Sequence, residues 1–382
     1  MSVWRTGLAA WVVLGGFGGS VGACGEDRQG AGSELAVEPD APGADADDAA
    51  LQHDSEATED ATEVDADVAV QHDADAAPPE DTAAPPSDTA VPADVALPPD
   101  GGPIVTLPDA AGDTTGSALA PLGGERPAEV YLPEGYDPAT PAPLVILLHG
   151  YSATGTIQDL YFDFHAQATA AGFIAVVPDG TTNSFGLNFW NADPAWCCNY
   201  EHSAVDDAAY LLGLIAEARE RFAVAPDRVY LLGHSNGAFM AYAMACRHAD
   251  TIAGVVTLAG SMALDPAHCA PSRPVSVLHA HGSLDAVIPY LGSAFQFPGA
   301  AETVDRWLGH DSCANTPVTT FGYDYDAAVF GFESTRALWD DCAGGAQVSH
   351  WVLYGSTHVP VLTPRFLEDA FAFLLSHART AP

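Results

Sequence analysis

The chain has 382 residues and a formal net charge of −39 at neutral pH, which leaves room for one large domain and an appendage. All 12 of its basic residues are arginine, against 51 acidic residues. Nucleic acid and anionic membrane surfaces are excluded as partners, because both repel a protein this negative.

The first 24 residues predict an export signal. Arg5 precedes a short apolar run over 8–22 that is rich in glycine and too short to span a membrane comfortably. The run ends in Val21-Gly22-Ala23-Cys24, which resembles the bacterial lipobox, where the cysteine is lipidated and becomes the mature N-terminus. An ordinary signal peptide cleaved near Ala23 is the alternative. Both predict an extracytoplasmic protein, secreted or lipid-anchored at the cell surface or in the periplasm.

Residues 25–122 are predicted to form a disordered acidic linker. Between Gly25 and Asp113, 24 acidic residues stand against one basic residue, and no residue is aromatic. Such a segment cannot bury enough apolar surface to offset the entropy of ordering, and its like charges repel one another. We expect an extended tether in front of a folded domain over 123–382, with the membrane reached only through a lipid on Cys24.

From Arg126 onward, apolar runs alternate with amphipathic helical patterns. The run over 144–149 is apolar almost throughout, as is typical of a parallel strand covered on both faces. Repeated strand–helix alternation predicts a single α/β domain with a mostly parallel central sheet and helices on both faces. The predicted strands are 128–132, 144–149, 173–178, 228–233, 254–258, 275–280 and 348–354, and the predicted helices are 157–170, 205–222, 237–247, 300–308 and 364–377.

The sequence Gly233-His234-Ser235-Asn236-Gly237 has the pattern G-x-S-x-G. It lies where a predicted strand ends and a predicted helix begins, the context in which the two glycines allow a sharp turn that exposes the serine hydroxyl. A serine that only caps the helix is the alternative. We predict that Ser235 is a nucleophile.

A serine nucleophile needs a base, and the base needs an acid that orients it. With a G-x-S-x-G turn, these follow the serine along the chain in the order Asp, then His. Asp285 follows the predicted strand 275–280, and His358 lies in a glycine-containing loop after 348–354. Strand ends are where an α/β sheet presents its functional groups, so we predict Asp285 as the acid and His358 as the base.

Four other residues compete for these two roles. Asp265 precedes a proline in a loop, and Asp305 lies within a predicted helix. His310 lies at a helix end and His350 inside a strand, positions that indicate structural roles for both.

Two backbone N–H groups are needed to stabilise the oxyanion of acyl transfer. We predict the amide of Asn236, directly after the nucleophile, and the amide of Tyr151, in the loop after the strand 144–149. Gly150 allows that loop to turn sharply. His149 either contributes to this site or packs beneath the loop.

Six cysteines remain when Cys24 is set aside, an even number that favours disulfides in an exported chain. No C-x-x-C spacing occurs, so neither zinc nor another metal is expected. Fifteen pairings are possible in principle. The expected pairs are Cys246 with Cys269 and Cys313 with Cys342, which leaves Cys197 and Cys198 as a strained vicinal ring or in an exchange of partners.

Several spaced pieces of the domain match one known family. They are Leu148-His149-Gly150, Trp190-Asn191, Cys197-Cys198 with Val205-Asp206-Asp207, the serine motif, Met240-Ala241-Tyr242, Cys246 with Cys269, His281-Gly282, Asp285 and Ile288-Pro289-Tyr290. With these pieces the domain resembles the α/β-hydrolase esterase family that joins poly(3-hydroxybutyrate) depolymerases with feruloyl and acetylxylan esterases. It departs at Gly355-Ser356-Thr357-His358-Val359-Pro360, where the family often has Gly-Gly-His-Thr-Trp-Pro, and at Ala238, where a second glycine often follows the serine motif.

The resemblance implies a carboxylic-ester hydrolase that needs no cofactor and acts as a monomer on a cell-wall polysaccharide ester, a polyhydroxyalkanoate or a smaller ester. Trp190, Trp196 and Tyr200 are expected either to line an aromatic cleft for the substrate or to pack in the core. Asp206 and Asp207 are first of all helix-capping residues. One alternative is a peptidase of the same fold, although no propeller or extra domain is found in the sequence. The other is an inactive surface-anchored binding protein, which the intact Ser–Asp–His set disfavours.

Overall fold

A computed structural model describes residues 119–192, 197–314 and 316–380. The predicted export signal, Cys24, Trp196 and most of the predicted linker lie outside these residues. The described elements, in chain order, are β1 (Ala128–Tyr131), β2 (Ala142–Leu148), α1 (Gly155–Phe162), α2 (Phe164–Ala171), β3 (Ile174–Pro178), β4 (Thr181–Thr182), β5 (Asn188–Phe189), α3 (Asp207–Arg221), β6 (Val224–His234), α4 (Asn236–Arg247), β7 (Gly254–Leu258), β8 (Ser276–Gly282), α5 (Ala300–His310), β9 (Val318–Tyr323), β10 (Ser334–Trp339), β11 (Val348–Leu353) and α6 (Pro364–Leu375).

Nine strands form one sheet in the spatial order β1-β3-β2-β6-β7-β8-β11-β10-β9. The six central strands β3, β2, β6, β7, β8 and β11 pair with one another in parallel. At one edge β1 pairs antiparallel with β3, and at the other edge β10 pairs antiparallel with β11 and with β9. Helices cover both faces of this sheet, so the predicted α/β-hydrolase fold with a mostly parallel central sheet is confirmed. All carboxyl ends of the parallel strands lie at one edge, where a functional site is expected.

Strand β2 shows how the two faces are filled. Its residues Leu144, Ile146 and Leu148 pack in one apolar cluster with side chains of α3, α4 and α5. The intervening Val145 and Leu147 pack in a second cluster with α1, α2 and α6. Because successive side chains of a strand point to opposite faces, an apolar run of this kind requires a sheet that is covered on both sides.

The single helix predicted over 157–170 is wrong, because the structure has two helices there. Asp163 separates α1 from α2 and adopts a left-handed conformation with φ +47°, which Asp tolerates better than most residues. Phe162 and Phe164 are both fully buried in the same cluster. One continuous helix would place residues two apart on nearly opposite faces, so the break lets both rings reach the core.

Strands β9 and β10 were not predicted. They form the outer part of the sheet, and five of the six residues of β9 are exposed, so neither strand carries the apolar run that marks the buried strands. Leu122, inside the predicted linker, is fully buried and pairs with Ala128. The folded domain therefore begins before residue 123. Among the described residues, no helix is long and apolar enough to cross a membrane, and no three His, Cys, Asp or Glu side chains are grouped to hold a metal ion.

Candidate active site

Ser235 lies at the sharp turn between β6 and α4. Its φ of +54° and ψ of −121° lie in a region that L-residues rarely adopt. A Cβ atom on Gly233 would lie 2.3 Å from the carbonyl oxygen of Gly237, and one on Gly237 would lie 2.1 Å from that of Leu148. Both positions therefore exclude any side chain. The turn holds the start of α4 against the end of β2 and brings Ser235 to the carboxyl edge of the sheet.

Three of the predicted site residues form one chain of hydrogen bonds. Ser235 Oγ lies 2.9 Å from His358 Nε2, and His358 Nδ1 lies 2.8 Å from Asp285 Oδ2. Strands β8 and β11 are parallel neighbours, so Asp285 and His358, which follow them, meet at the same edge. Because Nδ1 of His358 faces a carboxylate, it carries the ring hydrogen and leaves Nε2 free to accept a proton from the serine.

The carboxylate of Asp285 is surrounded by N–H groups. Its Oδ1 accepts hydrogen bonds of 2.8 Å from the amides of Val287 and Ile288, and its Oδ2 lies 3.3 Å from His281 Nε2 in addition to the contact with His358. Burial alone would raise the pKa of Asp285, but hydrogen bonds from His281 and His358 outweigh burial and hold this pKa well below its usual range. Asp285 therefore stays ionised wherever a histidine titrates.

Two amides next to Ser235 have unused N–H groups. Within the described chain, neither Tyr151 nor Asn236 donates its backbone N–H to a protein acceptor. Asn236 is the first residue of α4, whose N-terminal end favours negative charge. The backbone next to Tyr151 approaches the nucleophile closely, since a Cβ atom on Gly150 would lie 3.3 Å from Ser235 Cβ. The two amides thus flank the serine on separate elements.

His149 holds the loop that carries Tyr151. The ring is fully buried, and its Nε2 accepts a 2.8 Å hydrogen bond from the Gly180 amide, so the ring hydrogen is on Nδ1 and is donated to the carbonyl of Gly150 at 2.8 Å. Burial lowers the pKa of His149 and keeps the ring neutral. Two roles were considered for His149 from the sequence. The structure supports the second of them, in which His149 packs beneath the loop and holds it.

A cavity of about 870 Å³ opens onto Ser235. Tyr200, which is 71% exposed, lies in its wall with its ring edge-on to that of Tyr151, the two centroids 5.5 Å apart. Most of the other lining side chains are apolar, and the described lining contains no arginine. These further residues are Cys197, Cys198, Asn199, His202, Leu264, Asp265, His268, Val287, Ile288, Phe295, Gln296 and Phe297.

Trp190 does not line this cavity, so of the two roles expected from the sequence the structure gives it the one in the core. Its side chain is fully buried and donates a 3.1 Å hydrogen bond from Nε1 to the carbonyl of His149. The side chain of Asn236 accepts from the Trp190 amide at 2.6 Å and donates to its carbonyl at 3.0 Å. Trp190 thus ties the β5 region to the turn that carries Ser235.

The competing acids and bases lie away from Ser235 or are occupied elsewhere. Asp265 lines the cavity, but its carboxylate accepts from the Ala267 amide at the start of a short 3-10 helix. Asp305 is exposed on α5. His310 packs against Trp307, and His350 stacks on Tyr290.

The remaining predicted residues lie near the cavity or on the helices behind it. Asp206 accepts from the Ala209 amide and caps α3, while Asp207 forms a 2.7 Å ion pair with Arg126. The disulfides join Cys246 to Cys269, Cys313 to Cys342 and Cys197 to Cys198, and the last of these lies in the cavity wall.

The role of His281 was not predicted from the sequence, although its ring lies 3.3 Å from Asp285. Its position on a strand four residues before an aspartate was the available clue. No sequence pattern indicated the cavity residues Leu264, Phe295 and Phe297, because distant loops bring them together.

Residues 120–327, more than half of the chain, match the family described as "Putative esterase". The chain belongs to this esterase family. The resemblance predicted from the spaced motifs is thereby confirmed. Individual relatives of the chain also carry the names of enzymes in that family.

"Feruloyl esterase B" of Piromyces equi is 27% identical over 245 residues, which are 61% of this chain and 42% of that protein. "Poly(3-hydroxybutyrate) depolymerase" of Ralstonia pickettii is 25% identical over 205 residues, 50% of this chain and 36% of that protein. The chain thus spans less than half the length of either relative. Among solved structures, an acetyl xylan esterase from Aspergillus awamori aligns with a TM-score of 0.48 and 15% identity, covering 65% of this chain and 94% of that one.

Proposed function

We propose that this protein is a serine ester hydrolase in which Ser235, His358 and Asp285 form the catalytic triad. The observation that carries the proposal is the continuous chain of contacts of 2.9 Å and 2.8 Å from the serine hydroxyl to the carboxylate. The strained turn at Ser235 supports it, since strain of this kind is retained where function requires it. Membership of the esterase family supports the same reaction class.

The proposed reaction is a two-step acyl transfer. Ser235 Oγ attacks the ester carbonyl while His358 Nε2 takes its proton, and Asp285 stabilises the resulting imidazolium. The amides of Asn236 and Tyr151 donate hydrogen bonds to the tetrahedral oxyanion. His358 then protonates the departing alcohol. Water repeats the sequence on the acyl-enzyme and releases the acid.

The cavity favours uncharged esters with an apolar or aromatic acyl group. Phe295, Val287 and Tyr200 present exposed apolar surface in its wall, and the described lining residues offer no arginine to pair with an acidic substrate. The names of the two relatives specify a feruloyl ester, which is aromatic, and a hydroxybutyrate polymer, which is aliphatic. We infer a cell-wall polysaccharide ester, a polyhydroxyalkanoate or a smaller ester as the substrate.

Export is part of the proposal. Three disulfides join cysteines of the described domain, as is typical of proteins outside the reducing cytosol. We propose that the protein acts as a monomer outside the cytoplasm, attached to the membrane by a lipid on Cys24. Radiolabelled palmitate incorporated into the wild type but not into Cys24→Ser would support the anchor, and equal incorporation would contradict it.

Covalent labelling tests the nucleophile. A fluorophosphonate probe should label the wild type and the exposed-serine control Ser184→Ala, but not Ser235→Ala. Hydrolysis of p-nitrophenyl acetate should fall by about three orders of magnitude or more in Ser235→Ala, with an unchanged thermal midpoint. Activity of Ser235→Ala within about tenfold of the wild type would contradict the assignment. A panel of methyl ferulate, acetylated xylan and amorphous polyhydroxybutyrate then decides among the ester classes.

A further inference from the structure

Behind Asp285, a file of buried polar side chains runs back through the sheet. Tyr242 Oη lies 2.8 Å from His279 Nδ1, and His279 Nε2 lies 3.2 Å from His281 Nδ1. His281 Nε2 lies 2.8 Å from the carbonyl oxygen of Ile288 and 3.3 Å from Asp285 Oδ2. All three side chains are at most 1% exposed. Burying three polar groups in a row is costly unless each is hydrogen-bonded, and here each is.

The contacts fix the hydrogens of both rings if the rings are neutral. Nε2 of His281 faces two oxygens that can only accept, so it carries the ring hydrogen. Nδ1 of His281 is then an acceptor and requires a hydrogen on Nε2 of His279. Nδ1 of His279 is therefore an acceptor too, and the hydroxyls of Tyr242 and Thr257 lie 2.8 Å and 3.3 Å from it. The ring hydrogen of each histidine thus points toward Asp285.

We propose that His281 is a positioning residue for the catalytic acid, locked by His279 and Tyr242 in the tautomer whose Nε2–H faces both the carbonyl oxygen of Ile288 at 2.8 Å and Asp285 Oδ2 at 3.3 Å. This inference rests on the proposed esterase mechanism. Oδ2 of Asp285 has two partners, His358 and His281, and the second fixes the direction from which the carboxylate meets the base. Without His281, the carboxylate is less well solvated and more basic, so it stabilises the His358 cation more strongly.

Several titratable groups surround His281. The titratable side chains near its ring are His279 on β8, Asp285 and Tyr290 on the loop that follows, His350 on β11 and, more distantly, His234 beside the nucleophile. Of these, His350 is a matched control. It is half-buried, stacks on Tyr290 and packs near His279, but among the described residues no hydrogen bond or ion pair joins it to Asp285.

The decisive experiment compares His281→Leu, which has no donor, with His281→Gln, whose amide nitrogen has a similar reach. For His281→Leu we expect kcat on p-nitrophenyl acetate to fall about ten- to a hundredfold with KM unchanged. The acidic limb of its kcat/KM profile should shift to higher pH, because a more basic Asp285 keeps His358 protonated to higher pH. His281→Gln should recover most of the rate and the wild-type limb. His350→Gln should lower the thermal midpoint without moving the limb.

A folded His281→Leu with the wild-type rate and limb would overturn the inference. If that variant does not fold, long-range ¹H–¹⁵N spectra of the wild type decide: a neutral ring with hydrogen on Nε2 of His281 supports the inference, and hydrogen on Nδ1 overturns it. Failure of the proposed function is distinguishable, because the wild type would then neither hydrolyse esters nor react with fluorophosphonate.

Discussion

Strand β8 has a buried aspartate at each end, and the pKa values of the two carboxyl groups are shifted in opposite directions. Asp285 follows the carboxyl end of the strand and belongs to the candidate active site. Asp311 follows helix α5 and accepts a hydrogen bond of 3.1 Å from the amide of Val275, just before the amino end of β8. Asp311 is fully buried and Asp285 is 5% exposed, so the degree of burial does not distinguish them.

The number of donors distinguishes them. Asp285 is met by two backbone amides and two histidine rings, which keep its pKa low despite burial. Asp311 receives the Val275 amide on Oδ1, and no described residue donates a hydrogen bond to its Oδ2. Burial raises the pKa of Asp311 to about 7, and the Val275 hydrogen bond offsets only part of this effect. A buried carboxylate therefore stays charged only where the fold aims several N–H groups at it.

The largest expected effect is that of Asp285→Asn. An amide in place of the carboxylate no longer requires hydrogen on Nδ1 of His358, so the ring takes the tautomer that cannot accept the serine proton. We expect kcat to fall by about 10⁴-fold, as removal of the charge does in other triads. Steady-state kinetics on p-nitrophenyl acetate measure the loss, and circular dichroism checks the fold. A folded variant that retains a tenth of the activity would show that the donor-rich end of β8 is not catalytic.

At the other end of β8, Asp311→Asn should change stability and its pH dependence. The pKa of Asp311 is about 7 in the folded protein and 3.8 in the reference state, so between these pH values Asp311 is protonated in the folded protein and ionised in the unfolded chain. The free energy of unfolding of the wild type therefore falls as pH rises from about 4 to 7, by at most roughly 4 kcal/mol. The asparagine variant has no ionisable group at this position, so its free energy of unfolding does not show this decrease.

Urea unfolding of the wild type and Asp311→Asn at pH 5 and pH 8 measures the difference. The variant should gain stability relative to the wild type between the two pH values. The adjacent His310 has a lowered pKa because of burial, so it is neutral at pH 8 in both proteins. Parallel pH profiles would mean that Asp311 is ionised throughout and that the contrast with Asp285 does not exist.

The disulfide Cys313–Cys342 lies next to Asp311, since the amide of Ala343 donates to the Asp311 carbonyl at 2.8 Å. Replacing both cysteines by serine should cost about 3 kcal/mol, because the bond closes a loop with a sequence separation of 29. It should also let water reach Asp311 and so reduce the pH dependence that this residue causes. Replacing Cys246 and Cys269, with a separation of 23, should cost a similar amount and leave the pH dependence unchanged. If the stability of both double-serine variants depended on pH to the same extent, the Cys313–Cys342 disulfide would not shield Asp311.

The two ends of β8 also differ in how far the sequence predicts them. Asp285 could be predicted because it follows a clear apolar strand and stands between a recognisable serine motif and a histidine at the next strand end. In an α/β sheet, such strand order fixes which loops meet. Asp311 gives no such indication, since His310-Asp311-Ser312 has the composition of an exposed turn. Its burial results from packing against the segment at 341–343, which is close only in the folded chain.

The same limit explains the other differences. Trp190 has the sequence character of a substrate-binding aromatic, but the side chain of Asn236 holds its backbone in the core. The file of buried polar side chains behind Asp285 depends on a contact between Tyr242 of α4 and His279 of β8. The spacing of these two residues along the sequence does not predict that contact. Local motifs therefore predicted which candidate reacting groups meet at the edge of the sheet, while the residues that hold and surround them required the three-dimensional structure.

The smallest expected effect is a change in KM on substitution of Tyr200 in the cavity wall, away from the hydrogen bonds that hold Asp285. Tyr200 lines the cavity that opens onto Ser235 and contacts the Tyr151 ring edge-on, so it is placed to meet an aromatic acyl group. Tyr200→Ala should raise KM for methyl ferulate by about three- to tenfold, the value of one aromatic contact, and leave kcat nearly unchanged.

The KM for p-nitrophenyl acetate, whose acyl group is too small to reach the cavity wall, should change little. Phe321→Ala is the matched control, since Phe321 is similarly exposed but lies on the edge strand β9. An unchanged KM for methyl ferulate would place the acyl group elsewhere. A fall in kcat as large as that of a triad variant would mean instead that Tyr200 positions Tyr151 and its amide through their ring contact.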